Sequence, residues 1–108
     1  MSAVRPPAHA GRFYPHDPTT LRTIVAGLVE QARPRPPDEA VPRAIIVPHA
    51  GYAYSGAVAA RGHATLAPAA GRLRRVVLLG PAHYVWVRGV AAPAAMAFGT
   101  PLGLVPID

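Results

Sequence analysis

Two histidines, each placed just beyond a short apolar run, are the residues in this sequence best suited to chemistry. His49 follows the run at 43–47, and His83 follows the run at 74–79. Apolar, β-branched runs separated by a helix-length segment are typical of parallel strands in a βαβ unit. Ligands bind beyond the carboxyl ends of such strands. The spacing therefore predicts that both imidazoles reach one crevice, where they supply half of a metal site.

A purely structural role is the alternative for each histidine, with the ring hydrogen-bonded to loop backbone at a strand end. Position alone favours neither role, but two histidines at equivalent strand ends favour the shared site. A zinc site usually takes three or four protein ligands, and non-haem iron takes two histidines and a carboxylate. No acidic residue lies beside either histidine in the sequence, so the remaining ligands must come from elsewhere. The acidic residues are Asp17, Glu30, Asp38, Glu39 and Asp108.

The segment after His49 is predicted to bind substrate through Gly51, Tyr52, Tyr54 and Ser55. The glycine permits close backbone approach to a ligand, and the tyrosines could donate hydrogen bonds or simply pack. The serine has two interpretations, anion binding at a helix N-terminus or capping of that helix, and capping is favoured. A serine nucleophile and a phosphate loop are excluded, because the segment lacks the G-x-S-x-G pattern and the phosphate-loop lysine.

Two helices are predicted from hydrophobic periodicity and capping signals. Asp17 and Pro18 begin an amphipathic helix whose apolar residues recur at helical spacing as far as Ala32. A second, alanine-rich helix is predicted at 56–66, and the proline-rich stretch at 34–42 is predicted to be an exposed linker. His9, His16 and His63 lie outside the strand ends and are not assigned to the site.

The strands are predicted from the apolar runs at 43–47 and 74–79. A third extended stretch is expected at 85–92, with Trp86 packing near the second histidine, and a turn plus a strand at 98–108. Two or three parallel strands and two helices cannot cover both faces of a sheet. The pattern therefore predicts an α/β fold that is incomplete within these 108 residues.

Composition limits the class of protein. The length of 108 residues predicts at most one domain. The hydrophobic fraction of 51% predicts that this domain is folded and not disordered. There is no cysteine and no apolar run long enough for a membrane span or a signal peptide, so a soluble cytoplasmic protein is expected. The net charge of +6 comes from scattered arginines without lysine. This pattern favours genome composition bias over nucleic-acid binding.

Several motifs occur in order along nearly the whole chain: RP at 5–6, AGRFYP at 10–15, PHAGYAYSG at 48–56, LGPAH at 79–83 and TPLG at 100–103. Their combination resembles the Memo family, also called the AmmeMemoRadiSam system protein B family. The PHAGYAYSG stretch is quite specific, and the ordered set is far stronger than any single motif.

The resemblance implies a three-layer α/β/α fold similar to class III extradiol ring-cleaving dioxygenases, which use non-haem iron. It also implies that His49 and His83 are the first two metal-site histidines, with iron or copper as the metal and oxidation–reduction as the chemistry. Memo-like proteins place a cysteine where those dioxygenases have a carboxylate, which weakens the case for ring cleavage. Because family members are much longer, residues 1–108 are expected to be the N-terminal part of one Memo-like domain, without its later histidine and cysteine ligands.

Three functions are consistent with these patterns. The first is a Memo-like, metal-dependent oxidoreductase. The second is a non-catalytic module that binds a peptide, another small molecule or a small anion in the same cleft. The third is an inactive truncated fragment that folds only with a partner. Incomplete sheet edges predict a homo-oligomer or a complementing chain, and no nucleic-acid or membrane partner is expected.

Overall fold

Two helices and a three-stranded sheet form the regular structure in the computed structural model, which describes residues 3–32 and 40–108. Strand β1 is Val4–Arg5, helix α1 is Pro18–Gln31 and helix α2 is Tyr52–Ala64. A 3₁₀ turn at Ala67–Ala69 follows α2. Strands β2 and β3 are Ala97–Thr100 and Gly103–Pro106. The predicted α/β class is confirmed in this small, mixed form.

Helix α1 begins where the sequence predicts. The Asp17 carboxylate accepts hydrogen bonds from the backbone N–H of Thr20 at 2.8 Å and from its hydroxyl at 2.9 Å. Pro18 occupies the first helical turn, where its missing N–H costs no hydrogen bond. Leu21 is buried and Leu28 half-buried, so the predicted apolar face is the one that packs inward.

Helix α2 begins at Tyr52, four residues before the predicted start. The prediction that Ser55 caps this helix is wrong, since Gly51 is the N-cap residue and Ser55 lies buried within the first turn. The backbone N–H of Tyr52 donates to the carbonyl of Phe13 at 2.7 Å. The first N–H groups of a helix have no partner within the helix and often donate to a capping side chain. Here the Tyr52 N–H donates to the Phe13 carbonyl instead.

Helix α1 and the segment that carries Val47 both approach α2 closely at its glycines. A β-carbon added at Gly56 would lie 3.1 Å from Cδ1 of Leu28 on α1. At Gly62, an added β-carbon would overlap the side chain of Val47. The apolar core is correspondingly small, and its buried residues in the described part of the chain are Leu21, Ala60, Ala64, Ala69 and Ala97.

The sheet has the order β1–β2–β3. Strand β1 pairs in parallel with β2, so the chain crosses over through both helices between them. Strands β2 and β3 form an antiparallel hairpin in which Thr100 pairs with Gly103. The Thr100 hydroxyl donates to the Gly103 carbonyl at 2.8 Å and accepts from the N–H of Leu102 at 3.1 Å. The predicted turn and strand at 98–108 are thus part of a hairpin whose first strand the sequence pattern missed.

The strands predicted at 43–47, 74–79 and 85–92 are not formed. A strand requires a neighbour that pairs with its backbone, and no other described segment lies alongside these runs in a sheet. The segment at 74–79 is exposed instead of buried, and Val77 is 87% exposed. The βαβ unit predicted from these runs is therefore wrong for the described residues.

Other predictions concern the loops. The expectation that Trp86 packs near His83 is wrong, because Trp86 is 83% exposed and the aromatic ring near His83 is that of Tyr84, at 6.2 Å. Most of the predicted linker at 34–42 lies outside the described residues, and its described part, 40–42, is neither helix nor strand. None of the described helices has both the length and the apolar character needed to cross a membrane.

Candidate metal centre

The structure brings His49 and His83 together, as the sequence predicts. Their Nε2 atoms lie 3.0 Å apart, and the ring centroids are separated by 5.3 Å at an interplanar angle of 39°. Both side chains are exposed. Two neutral imidazoles make such a contact when one ring donates its N–H and the other accepts. The two Nε2 atoms thus face one another at the surface, although the residues are 34 positions apart in the sequence.

His49 is positioned by the start of helix α2. It precedes Ala50, whose carbonyl accepts a hydrogen bond from the Ser55 hydroxyl at 3.1 Å. The N-cap residue Gly51 lies against the backbone of Phe13, since an added β-carbon would be 3.5 Å from its carbonyl oxygen. Together with the Tyr52–Phe13 hydrogen bond, these contacts fix the backbone on the C-terminal side of the histidine.

His83 has far fewer constraints. It lies in an exposed, irregular segment just after Gly80 and Pro81. Besides the contact with His49, the ring approaches Tyr84 with a centroid separation of 6.2 Å, and that tyrosine is itself 98% exposed. One ligand of the candidate site is therefore held by a helix N-terminus, and the other mainly by its contact with the first.

The donor set fits part of a metal centre. Two imidazole nitrogens bound to one ion each lie about 2.0–2.1 Å from it, so a 3.0 Å separation between them is compatible with a shared ion. Within residues 3–32 and 40–108, no group of three or more histidine, aspartate or glutamate side chains could hold a metal. Asp38 and Glu39 lie outside the described residues. The described chain thus offers two ligands.

A cleft of about 600 Å³ opens beside His49, between α1 and α2. Its walls are mainly apolar, including Leu28 of α1 and Ala59 of α2. Of the predicted substrate-binding residues, Tyr52 and Ser55 line this cleft. Gly51 and Tyr54 are not part of its lining, and Tyr54 is 90% exposed.

Two histidines that the sequence analysis left out, His9 and His63, also line the cleft. The His9 ring stacks on Phe13 with a centroid separation of 4.6 Å and an interplanar angle of 9°. The sequence does contain a signal that places His63 in the cleft, provided that α2 is taken to begin at Tyr52. Residues of α2 that line the cleft recur at helical spacing, and they are Tyr52, Ser55, Gly56, Ala59, Ala60 and His63.

Comparison with known proteins identifies the family. The family described as Memo-like protein matches residues 5–108. A MEMO1 family protein of Aquifex aeolicus is 38% identical over 105 residues, which cover 97% of this chain and 37% of the relative. Protein MEMO1 of Danio rerio is 39% identical over 105 residues, covering 96% of this chain and 33% of the relative.

A third relative gives the same result. A MEMO1 family protein of Schizosaccharomyces pombe is 34% identical over 106 residues, covering 98% of this chain and 32% of the relative. The chain thus spans about a third of the length of these relatives. No solved structure matches it. Because the family match covers nearly every residue, this chain belongs to the Memo family.

Proposed function

We propose that this chain supplies two histidine ligands of a Memo-type metal centre, in a protein that performs oxidation–reduction chemistry with iron or copper. The observation that carries the proposal is the 3.0 Å separation of the His49 and His83 Nε2 atoms. A bound iron or copper ion would supply electron transfer and Lewis acidity at this point. The three-layer fold related to class III extradiol dioxygenases and a cytoplasmic location belong to the same proposal.

The residues of this chain have separate tasks in that site. His49 and His83 hold the ion through Nε2, and the Ser55–Ala50 hydrogen bond orients the segment that carries His49. The apolar walls of the adjoining cleft exclude water from a bound substrate. Among the predicted substrate-binding residues, Tyr52 lines the cleft, and a tyrosine hydroxyl can donate a hydrogen bond to a bound substrate. The Ser55 hydroxyl is already used within the fold.

Metal content of the purified chain tests the proposal. We expect the wild-type protein, reconstituted with Fe²⁺ or Cu²⁺ and freed of loosely held ions, to retain close to one equivalent by elemental analysis. The double variant His49→Ala/His83→Ala should retain almost none. Because chelation needs both rings, each single variant should also lose at least tenfold in affinity, which is about 1.4 kcal/mol.

His16→Ala is the matched control, because His16 is also exposed but lies outside the candidate centre. This variant should bind metal as the wild type does. For Cu²⁺, electron paramagnetic resonance should show nitrogen hyperfine coupling that disappears in the double variant. Equal metal loss in His16→Ala and in the double variant would mean adventitious binding by surface histidines and would contradict the proposal.

The cleft supports a second candidate function, the recognition of an apolar small molecule or peptide without catalysis. Its volume of about 600 Å³ lies within the range of small-molecule pockets, and its lining combines apolar side chains with a few polar groups. This function needs no metal. It would be preferred if the wild-type chain retained no iron or copper in the experiment above.

A further inference from the structure

Residues 9–14 form a compact loop that is held together by its own backbone. The carbonyl of His9 accepts a hydrogen bond from the N–H of Phe13 at 3.0 Å, and the N–H of Gly11 donates to the carbonyl of Tyr14 at 2.8 Å. Gly11 has a φ of 84°, a left-handed conformation that glycine adopts without a steric cost. The loop therefore has a defined shape, although it lies outside the helices and the paired strands.

This loop contacts the segment that carries His49. The Phe13 carbonyl accepts the hydrogen bond from the Tyr52 N–H at 2.7 Å, and a β-carbon added at Gly51 would lie 3.5 Å from both the Cα and the carbonyl oxygen of Phe13. The rings of Tyr14 and Tyr52 also approach, with a centroid separation of 5.7 Å. Because Gly51 is only two positions after His49, the position of Phe13 determines where the backbone of His49 lies.

The side chain of His9 restrains Phe13. Its ring stacks on the Phe13 ring with a centroid separation of 4.6 Å and an interplanar angle of 9°. Phe13 is 41% exposed, so the rest of the structure confines its ring only in part. A stacked pair is favourable over a narrow range of separations and angles, and it therefore restricts the motion of both rings. The contact uses the face of the imidazole and neither of its nitrogens.

We propose that His9 is a positioning residue for the candidate metal centre. Its ring holds Phe13, and the Phe13 carbonyl holds the start of α2, so that the Nε2 atom of His49 faces that of His83. This inference rests on the proposed function, since His49 is the ligand that is positioned. His83 is held mainly by its contact with His49, and a displaced His49 therefore loses its partner as well.

Nuclear magnetic resonance of the imidazole nitrogens in the metal-free chain tests the positioning directly. At mildly alkaline pH, where imidazole is neutral, one ring of the His49–His83 pair donates and the other accepts, so the His49 signals should differ from those of the exposed His16. We expect His9→Ala to move the His49 signals at least halfway toward those of His16. His9→Phe keeps a stacked ring and should restore the wild-type signals.

Copper binding gives a second measurement. The affinity of His9→Ala for Cu²⁺ should be at least threefold lower than that of the wild type, whereas His9→Phe should bind Cu²⁺ as the wild type does. His16→Ala is the matched control, because it removes an exposed histidine outside the loop and should leave the copper affinity and the His49 signals unchanged. If the wild type binds no Cu²⁺, the proposed function fails, while the imidazole signals still decide the role of His9.

A double-variant cycle tests the route through Phe13. Phe13→Leu removes the other ring of the stack and should displace the His49 signals as His9→Ala does. The double variant His9→Ala/Phe13→Leu should displace them no further, because both substitutions remove the same contact. A clearly larger displacement in the double variant would mean that His9 acts by another route and would overturn the proposal.

Three further results would contradict the assignment. Unchanged His49 signals in His9→Ala would mean that the ring is not needed. Signals that stay displaced in His9→Phe would attribute the effect to a nitrogen of His9 instead of stacking. Loss of the helical circular dichroism signal in His9→Ala would mean that the ring supports the whole fold and not the segment of His49 in particular.

Discussion

At the level of single residues, Asp17 shows how one side chain determines where a helix begins. The hydrogen bonds that its carboxylate accepts from the backbone N–H and then the hydroxyl of Thr20 hold its pKa below the ordinary value. Charged aspartate is therefore favoured in the folded state. The resulting stabilisation is present at pH values above the unfolded-state pKa, and is lost as the pH falls through the folded-state pKa.

Substitutions at Asp17 should reveal this dependence. Asp17→Ala removes the cap and should lower the thermal midpoint at neutral pH. Asp17→Asn keeps a good capping residue without a titrating group. The thermal midpoint of the wild type should therefore fall relative to that of this variant as the pH is lowered from 7 to 3. Thermal melts followed by circular dichroism at several pH values measure both effects. A constant difference across that range would contradict the role of the charged cap.

Two helical glycines differ in what surrounds them, and this difference predicts opposite effects of the same substitution. A β-carbon at Gly27 in α1 would meet nothing within 4 Å, whereas one at Gly62 in α2 would overlap Val47. Gly27→Ala should raise the free energy of unfolding by about 0.5–1 kcal/mol through helix propensity. Gly62→Ala should lower it by about 1–3 kcal/mol, because a β-branched valine cannot rotate away cheaply.

Urea unfolding of the two variants beside the wild type gives these free energies. Gly27→Ala is the control for the general effect of replacing a helical glycine. Stabilisation of similar size by both substitutions would mean that Val47 does not pack against α2.

At the level of elements, the accuracy of the sequence analysis depends on how local each signal is. Helix α1 was predicted correctly because Asp17, Pro18 and the apolar spacing all act within the helix itself. The start of α2 was missed because it depends on the carbonyl of Phe13, which is distant in sequence. The apolar run at 74–79 predicts a strand, but a strand also needs a partner that the described residues do not contain.

The candidate site was predicted in part for related reasons. The proximity of His49 and His83 was confirmed, although the two strands from which it was inferred are not formed. His9 and His63 were not placed in the cleft, because their positions follow from the packing of α1, α2 and the segment around Phe13. Metal binding itself stays a prediction.

At the level of the whole molecule, the described chain is less compact than its length allows. A compact domain of this length has a radius of gyration of about 13 Å, whereas that of this chain is 15.2 Å. The larger radius of gyration agrees with the exposure of every residue in 71–94. The two helices, by contrast, are partly buried. Susceptibility to proteolysis should follow the same division.

Limited digestion with trypsin tests this division. Cleavage after Arg75 and Arg88, in the exposed segment, should precede cleavage after Arg22 and Arg61, which lie within α1 and α2. The rates should differ by at least tenfold, because a helix must open locally before a protease can bind it. Mass spectrometry of early time points identifies the order. Equal rates at all four sites would show that the helices are not stably folded.

The contact between His49 and His83 also closes a chain loop, since it joins residues 34 positions apart. A hydrogen bond between side chains contributes only about 0.5–1.5 kcal/mol, whereas closing a flexible loop of this size costs about 3 kcal/mol of chain entropy. In the isolated chain the loop therefore opens and closes readily. Any ligand that binds both rings therefore cross-links the two ends of this loop. Its affinity increases with every contact that already holds the loop closed before the ligand binds.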